Sequence, residues 1–231
     1  MTTPTEMLTL DKILALLESR YGQRKLKGLL LSDDLRMHSG VATMSRELVL
    51  GTVQRYDWVQ IAGAIQHPDK GKVINMDQAT AQLTGVKDAK VTIYPVDGYG
   101  NEDLLFSIID REKPDFLMHF TDPRFWGWLY ALERQIRSKM PLTYLNIWDD
   151  IPYPMYNRPY YESCDLLMSI SKQTYNINQW VLGPEKTCVV GDPNPYGKSV
   201  LHYVPHGINS KTFLSGDFEV DKTVQFQDRG Y

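Results

Sequence analysis

Short apolar runs of strand length recur along this chain, each followed by a polar loop and then by apolar residues at helical spacing. That alternation restricts the fold more than any other feature. The runs lie at 26–31, 58–64, 91–96, 114–120, 142–147, 165–170 and 201–205. Helical spacing follows in Val41, Met44, Leu48 and Thr52, in Leu104, Leu105, Ile108 and Ile109, and in Trp126, Leu129, Tyr130, Glu133 and Ile136. Further helices are expected over 159–163 and over 172–182, the latter capped by Ser171. This alternation predicts an α/β protein: a doubly wound, mainly parallel sheet of about seven strands with helices on both faces, because right-handed crossovers put them there. Loops that follow parallel strands share one edge of the sheet, and such folds bind ligands at that edge.

The first unit is the most informative. Residues 26–31 end in the polar stretch Ser32-Asp33-Asp34-Leu35-Arg36-Met37-His38-Ser39-Gly40, and the helical pattern begins at Val41. The first N–H groups of a helix have no partner within it, so with the helix dipole they attract an anion, most often a phosphate. Gly40 has no Cβ and lets a ligand approach the main chain. The plainer reading is an ordinary turn in which Ser39 caps the helix. The loop is neither a Gly-x-Gly-x-x-Gly fingerprint nor a Gly-x-x-x-x-Gly-Lys-Ser/Thr phosphate loop.

Residues 1–24 are expected to form a helix packed on the domain, with Leu10, Ile13, Leu14, Leu17 and Tyr21 as its apolar stripe. The domain itself spans 25–215, with 65–89 left unassigned and 183–198 read as an insertion. Residues 216–231 read as a linker or the start of a further domain. A net charge of −3 leaves no electrostatic footprint for tight sequence-independent nucleic-acid binding. With no secretory segment legible, Cys164 and Cys188 read as reduced thiols of a cytoplasmic protein, with peripheral membrane attachment left open. No apolar span reaches membrane length. The histidines are scattered without zinc-ligand spacing, so no metal is expected.

Five segments together carry a resemblance: Ser39-Gly40-Val41-Ala42, Pro114-Asp115-Phe116-Leu117-Met118-His119, Trp148-Asp149-Asp150-Ile151-Pro152, Cys164-Asp165-Leu166-Leu167-Met168-Ser169-Ile170-Ser171 and Val204-Pro205-His206-Gly207-Ile208. In order and spacing they resemble the amino-terminal, acceptor-side half of GT-B glycosyltransferases, closest to the retaining enzymes of glycosyltransferase family four. The resemblance implies a Rossmann-like half-enzyme with a nucleotide-sugar donor, UDP- or GDP-linked, as co-substrate, no tightly bound cofactor and no required metal. It implies that Ser39, Gly40 and Val41 approach the donor diphosphate. His119, Asp122 and Asp149 would face the acceptor or the transferring sugar, and His206 and Gly207 would lie where the chain crosses to a second, donor-binding half. The glutamate pair of that second half is not found up to Tyr231, so the chain is expected to be a truncated sequence, rather than an isolated acceptor-type domain that needs a partner, and to be inactive alone. Where many relatives show His-Asp this chain has Trp148-Asp149, which leaves a carboxylate but no imidazole.

Each candidate also has a structural reading. Asp122 before Pro123 is well placed to cap a helix, His119 at a strand end can be a hydrogen-bonded core residue, and the adjacent Asp149 and Asp150 diverge in an extended loop. Tyr153, Tyr156, Tyr160, Tyr161, Trp126, Trp128 and Trp148 can present flat faces to a sugar or simply pack. The acceptor, whether glycan, lipid, protein or modified DNA base, is not legible. The alternative function is a non-catalytic Rossmann-like module that binds a carbohydrate or a partner. An oxidoreductase or epimerase is disfavoured by the missing glycine pattern.

Overall fold

The computed structural model describes residues 24–64, 66–189, 198–205 and 207. The helix expected within 1–24, the 216–231 segment and His206 lie outside these residues, Arg24 excepted. The described strands are β1 (Leu26–Asp33), β2 (Tyr56–Ala64), β3 (Ile74–Asn75), β4 (Val91–Asp97), β5 (Phe116–His119), β6 (Leu142–Asn146), β7 (Leu166–Ser169), β8 (Thr187–Val189) and β9 (Ser199–Tyr203). They form one sheet in the order β3-β4-β2-β1-β5-β6-β7-β9-β8. Every neighbouring pair is parallel except β3 with β4.

The sheet is α/β and doubly wound, as the alternation requires. Successive side chains of a strand point to opposite faces, and both faces here are covered. Leu29 and Leu31 of β1, Ile61 of β2 and Tyr144 of β6 pack on one side against Leu105 and Ile108, Leu129 and Tyr130, and Ile177 and Val181. Leu30, Trp58 and Ile93 pack on the other with Val49 and Val53. The central strand therefore reads as an unbroken apolar run, with Leu29, Leu30 and Leu31 fully buried, each worth about 2 kcal/mol of transfer free energy. Gly28 in the same strand is required for packing. A Cβ there would stand 2.6 Å from both Phe116 and Trp58, whose rings meet edge to face across it.

The helices are α1 (Gly40–Thr52), α2 (Asp77–Thr84), α3 (Glu102–Glu112), α4 (Gly127–Ala131), α5 (Glu133–Arg137), α6 (Arg158–Glu162) and α7 (Lys172–Leu182). Local chemistry sets their starts: the side chains of Ser39, Asn101 and Ser171 accept from the N–H of Ala42, Leu104 and Thr174. Two short strands exceed the expected seven. β3 and α2 fall in the stretch left unassigned, and β8 falls in the stretch read as an insertion. The single helix expected over 126–136 is instead a 3-10 turn (Pro123–Trp126) followed by α4 and α5, which meet at Leu132. A shared buried stripe needs only a common inward side, and two short helices supply that as well as one. No helix among the described residues is long and apolar enough to cross a membrane.

Candidate functional site

The strand order fixes where a crevice can open. From β1 the chain moves outward through β2 to β4, then returns to β5 on the other side of β1, so the connections after β1 and β5 leave in opposite directions. Because the strands are parallel, the loops after β1, β2, β4, β5 and β6 all reach the carboxyl edge. The switch between β1 and β5 is the place on that edge where a ligand can enter.

The loop after β1 is held rigidly. Gln60, nearly fully buried in β2, donates to Ser32 Oγ and to the Asp33 carbonyl, both at 2.8 Å, and accepts from the Leu35 N–H at 3.2 Å. At the start of α1 the Ser39 hydroxyl accepts from Ala42 N–H at 3.0 Å and donates to Asp33 Oδ2 at 2.8 Å. Ser39 is thus the cap of the plainer reading, and it brings a carboxylate to the positive end of the helix. The Gly40 and Val41 N–H groups lie in the first turn, where the helix offers no partner. A Cβ on Gly40 meets nothing within 4 Å, so that side of the turn is open. The Val41 side chain turns inward and packs with the α1 cluster.

A second lock joins this loop to the one after β2. Asp34, fully buried, accepts from the Arg36 N–H at 2.8 Å, from Arg36 Nη2 at 2.7 Å and from His67 Nε2 at 2.8 Å. The Asp69 N–H donates to His67 Nδ1 at 3.0 Å, so Nδ1 is the acceptor and Nε2 carries the proton given to Asp34. Burial pushes the Asp34 carboxyl up, but the hydrogen bonds from Arg36 and His67 outweigh it and hold the group below the usual carboxylate range.

The other wall follows β5 and β6. Asp122 caps the 3-10 turn by accepting from Arg124 N–H at 2.9 Å, and it pairs with the Arg124 guanidinium. Burial raises this carboxyl, and the Arg124 contacts more than compensate. The same guanidinium lies 5.1 Å over the Trp148 ring, tying the β5 loop to the β6 loop. Beneath them Tyr144 hydrogen-bonds the Thr121 carbonyl at 3.0 Å and Asn146 at 3.2 Å, while Asn146 Oδ1 accepts from the Trp148 N–H. Between the walls stands Tyr99, whose ring packs on Phe125 and Trp126. Burial and the charges of Asp33 and Asp122 raise its phenol, while a hydrogen bond with Thr121 works against them. Tyr99 carries no motif, and the turn containing it reads in the sequence only as a turn.

The remaining candidates are dispersed. His119 ends β5 and is fully buried: its ring stacks on Tyr144 at 4.9 Å and its Nδ1 meets the Tyr130 hydroxyl at 2.7 Å. Burial pushes its pKa down to about 3 against the opposing charge of Asp122, so it is a neutral core imidazole that does not reach the crevice. Asp149 is exposed; its carbonyl accepts from Gln173, and its carboxylate has no partner among the described residues. Asp150 instead caps backbone, accepting from the Ile151 N–H at 2.8 Å. Gly207 is exposed beyond β9. Among the described residues no group of three or more His, Cys, Asp or Glu could hold a metal ion. The crevice therefore offers backbone N–H groups to an anion, and carboxylates and a phenol to hydroxyl groups.

Neither a scan of protein-family models nor a search of curated proteins gives a match for this chain.

Proposed function

We propose that this chain is the acceptor-side half of a nucleotide-sugar-dependent, retaining glycosyltransferase of the GT-B type. The observation that supports the reading is the convergence of Ser39-Gly40-Val41, Asp122 and Trp148-Asp149 on one sheet edge around the β1/β5 switch. In this reading the donor is a UDP- or GDP-sugar whose diphosphate meets the Gly40 and Val41 N–H groups as negative charge develops on it. Asp122 and Asp149 accept hydrogen bonds from acceptor hydroxyls, with Asp122 held by Arg124. The departing phosphate takes the acceptor proton on the face it leaves, so no imidazole is needed, in keeping with a buried, neutral His119. A donor-binding half closes over the edge. The two cysteines, Cys164 and Cys188, are buried and not joined in a disulfide, which suits a cytoplasmic protein.

One observation favours the second reading, a non-catalytic carbohydrate- or partner-binding module: the Asp33 carboxylate stands where a phosphate would gain most from the helix. The test is hydrolysis of a panel of UDP- and GDP-sugars by the full-length protein, donor-binding half included, and by its Gly40→Val variant. Because the Gly40 side is open, valine there leaves the fold intact and obstructs only an approaching ligand. Turnover abolished by Gly40→Val supports the transferase. Donor turnover equal in both, or none with any donor, overturns it.

A further inference from the structure

A second cleft lies beside the carboxyl half of β4, which β2 separates from β1 and the β1/β5 switch. The antiparallel partner β3 covers only the first half of β4, pairing Asn75 with Thr92 and Ile74 with Ile93. Beyond that point the edge of β4 that faces away from β2 meets the loop at 67–73, where Gly71 N–H donates to the Pro95 carbonyl at 3.3 Å and the His67 N–H and Lys70 Nζ both donate to the Asp97 carboxylate. Between this loop and α3 opens a space of about 480 Å³, the size of a small-molecule site.

Its floor is apolar and fixed. Tyr94, Val96, Leu104 and Ile108 line it, and the Tyr94 hydroxyl is tied to Glu112 Oε1 at 2.5 Å, which anchors the ring. Its rim is cationic. Lys70, Lys72 and Arg111 line it against the single carboxylate of Asp97, which Lys70 already neutralises. Lys72 is paired with Asp69 outside the cleft. Arg111 lies 5.9 Å over the Tyr94 ring and has no carboxylate partner among the described residues. A guanidinium spread over an aromatic floor with its donors uncommitted fits an anion attached to something apolar.

We propose that this cleft binds a small organic anion, a phosphate or sulfonate carried on an aromatic or short aliphatic body, with Arg111 holding the anionic group and Tyr94, Val96 and Leu104 the apolar one. The site is independent of the sugar-transfer reading. The probe is 8-anilinonaphthalene-1-sulfonate, followed by fluorescence with wild type, Arg111→Gln and Ser107→Trp. Ser107 is exposed on the rim, so tryptophan there fills the cleft without removing charge. Saturable binding should weaken about tenfold in Arg111→Gln and be lost in Ser107→Trp. Phenyl phosphate and butyl phosphate, used as competitors, separate an aromatic from an aliphatic body. Displacement by either supports the site, and displacement by neither overturns it. Affinity unchanged in both variants also overturns it. An arm that needs no variant maps the backbone amides of the wild-type protein in phenyl phosphate: shifts at Gly71 and Leu104 support the site, and their absence refutes it.

Discussion

The ring of Tyr99 occupies the space a side chain at Gly63 would need: a Cβ there stands 2.7 Å from Tyr99 Cδ1 and 2.8 Å from the Gly98 carbonyl oxygen. The end of β2 is thus shaped to admit the residue that stands between the two walls of the crevice. Gly63→Ala should destabilise by about 1–3 kcal/mol, lowering the melting temperature by about 2–4 °C for each kcal/mol. Gly40→Ala should change stability by less than about 0.5 kcal/mol, since its Cβ enters open space. Equal melting temperatures for the two variants would contradict this packing.

Asp34 should be the costliest carboxylate to remove. It is fully buried and satisfies both Arg36 and His67. Asp34→Ala leaves the buried His67 Nε2 unpartnered and Arg36 with Asp69 alone, and should cost about 3 kcal/mol, read by urea denaturation. Asp110→Ala, which breaks a surface pair with Lys113, should cost less than about 1 kcal/mol.

The buried imidazole of His119 makes a specific pH signature. The unfolded chain takes up this proton near pH 6.5, whereas the folded protein resists until about 3. Between these values the unfolded state binds more protons, so stability is full above about 6.5 and falls with decreasing pH, by up to about 1.4 kcal/mol per unit. The difference in stability between wild type and His119→Gln, followed from about pH 7.5 to about pH 4.5, should shrink as the pH drops. A difference independent of pH would show that His119 is not held neutral.

The polar link under the crevice should act on the Trp148 loop. Asn146 Nδ2 donates to Asn178 Oδ1 at 2.6 Å, and Asn178 Nδ2 donates to Ser169 Oγ at 2.8 Å, all buried. Asn178→Leu leaves both neighbours without their partner and should cost about 2 kcal/mol. It should also shift the emission of Trp148, whose backbone N–H is held by Asn146 while its indole N–H donates to the Asp150 carbonyl. Unchanged stability would mean that Asn146 and Ser169 find other partners.

The fold was legible because fully buried parallel strands and one-sided helices write strong periods, and α7 falls on the expected 172–182. The misses were elements that leave weak ones. α2 exposes Leu83 and buries Thr80, so its apolar side is hard to see, and β3 has only two residues. The site was legible in its loops but not in its contacts. Ser39 as a cap and Asp122 as a cap follow from local residue preferences. That Gln60 pins the β1 loop, that Asp34 meets His67, or that Tyr99 crosses to Thr121 depends on residues far apart in sequence. His119 illustrates the limit: its position at a strand end is written in the pattern, but the side on which its ring points depends on Tyr130 and Tyr144.

The proposed activity requires the first turn of α1 to act as an anion site opposed by Asp33. The direct measurement is amide chemical-shift mapping of the labelled protein with UDP and GDP, for wild type and Asp33→Asn. The largest shifts are expected at Gly40 and Val41, with tighter binding in Asp33→Asn because the opposing carboxylate is gone. Shifts absent from Gly40 and Val41, or an affinity that Asp33→Asn leaves unchanged, would contradict it.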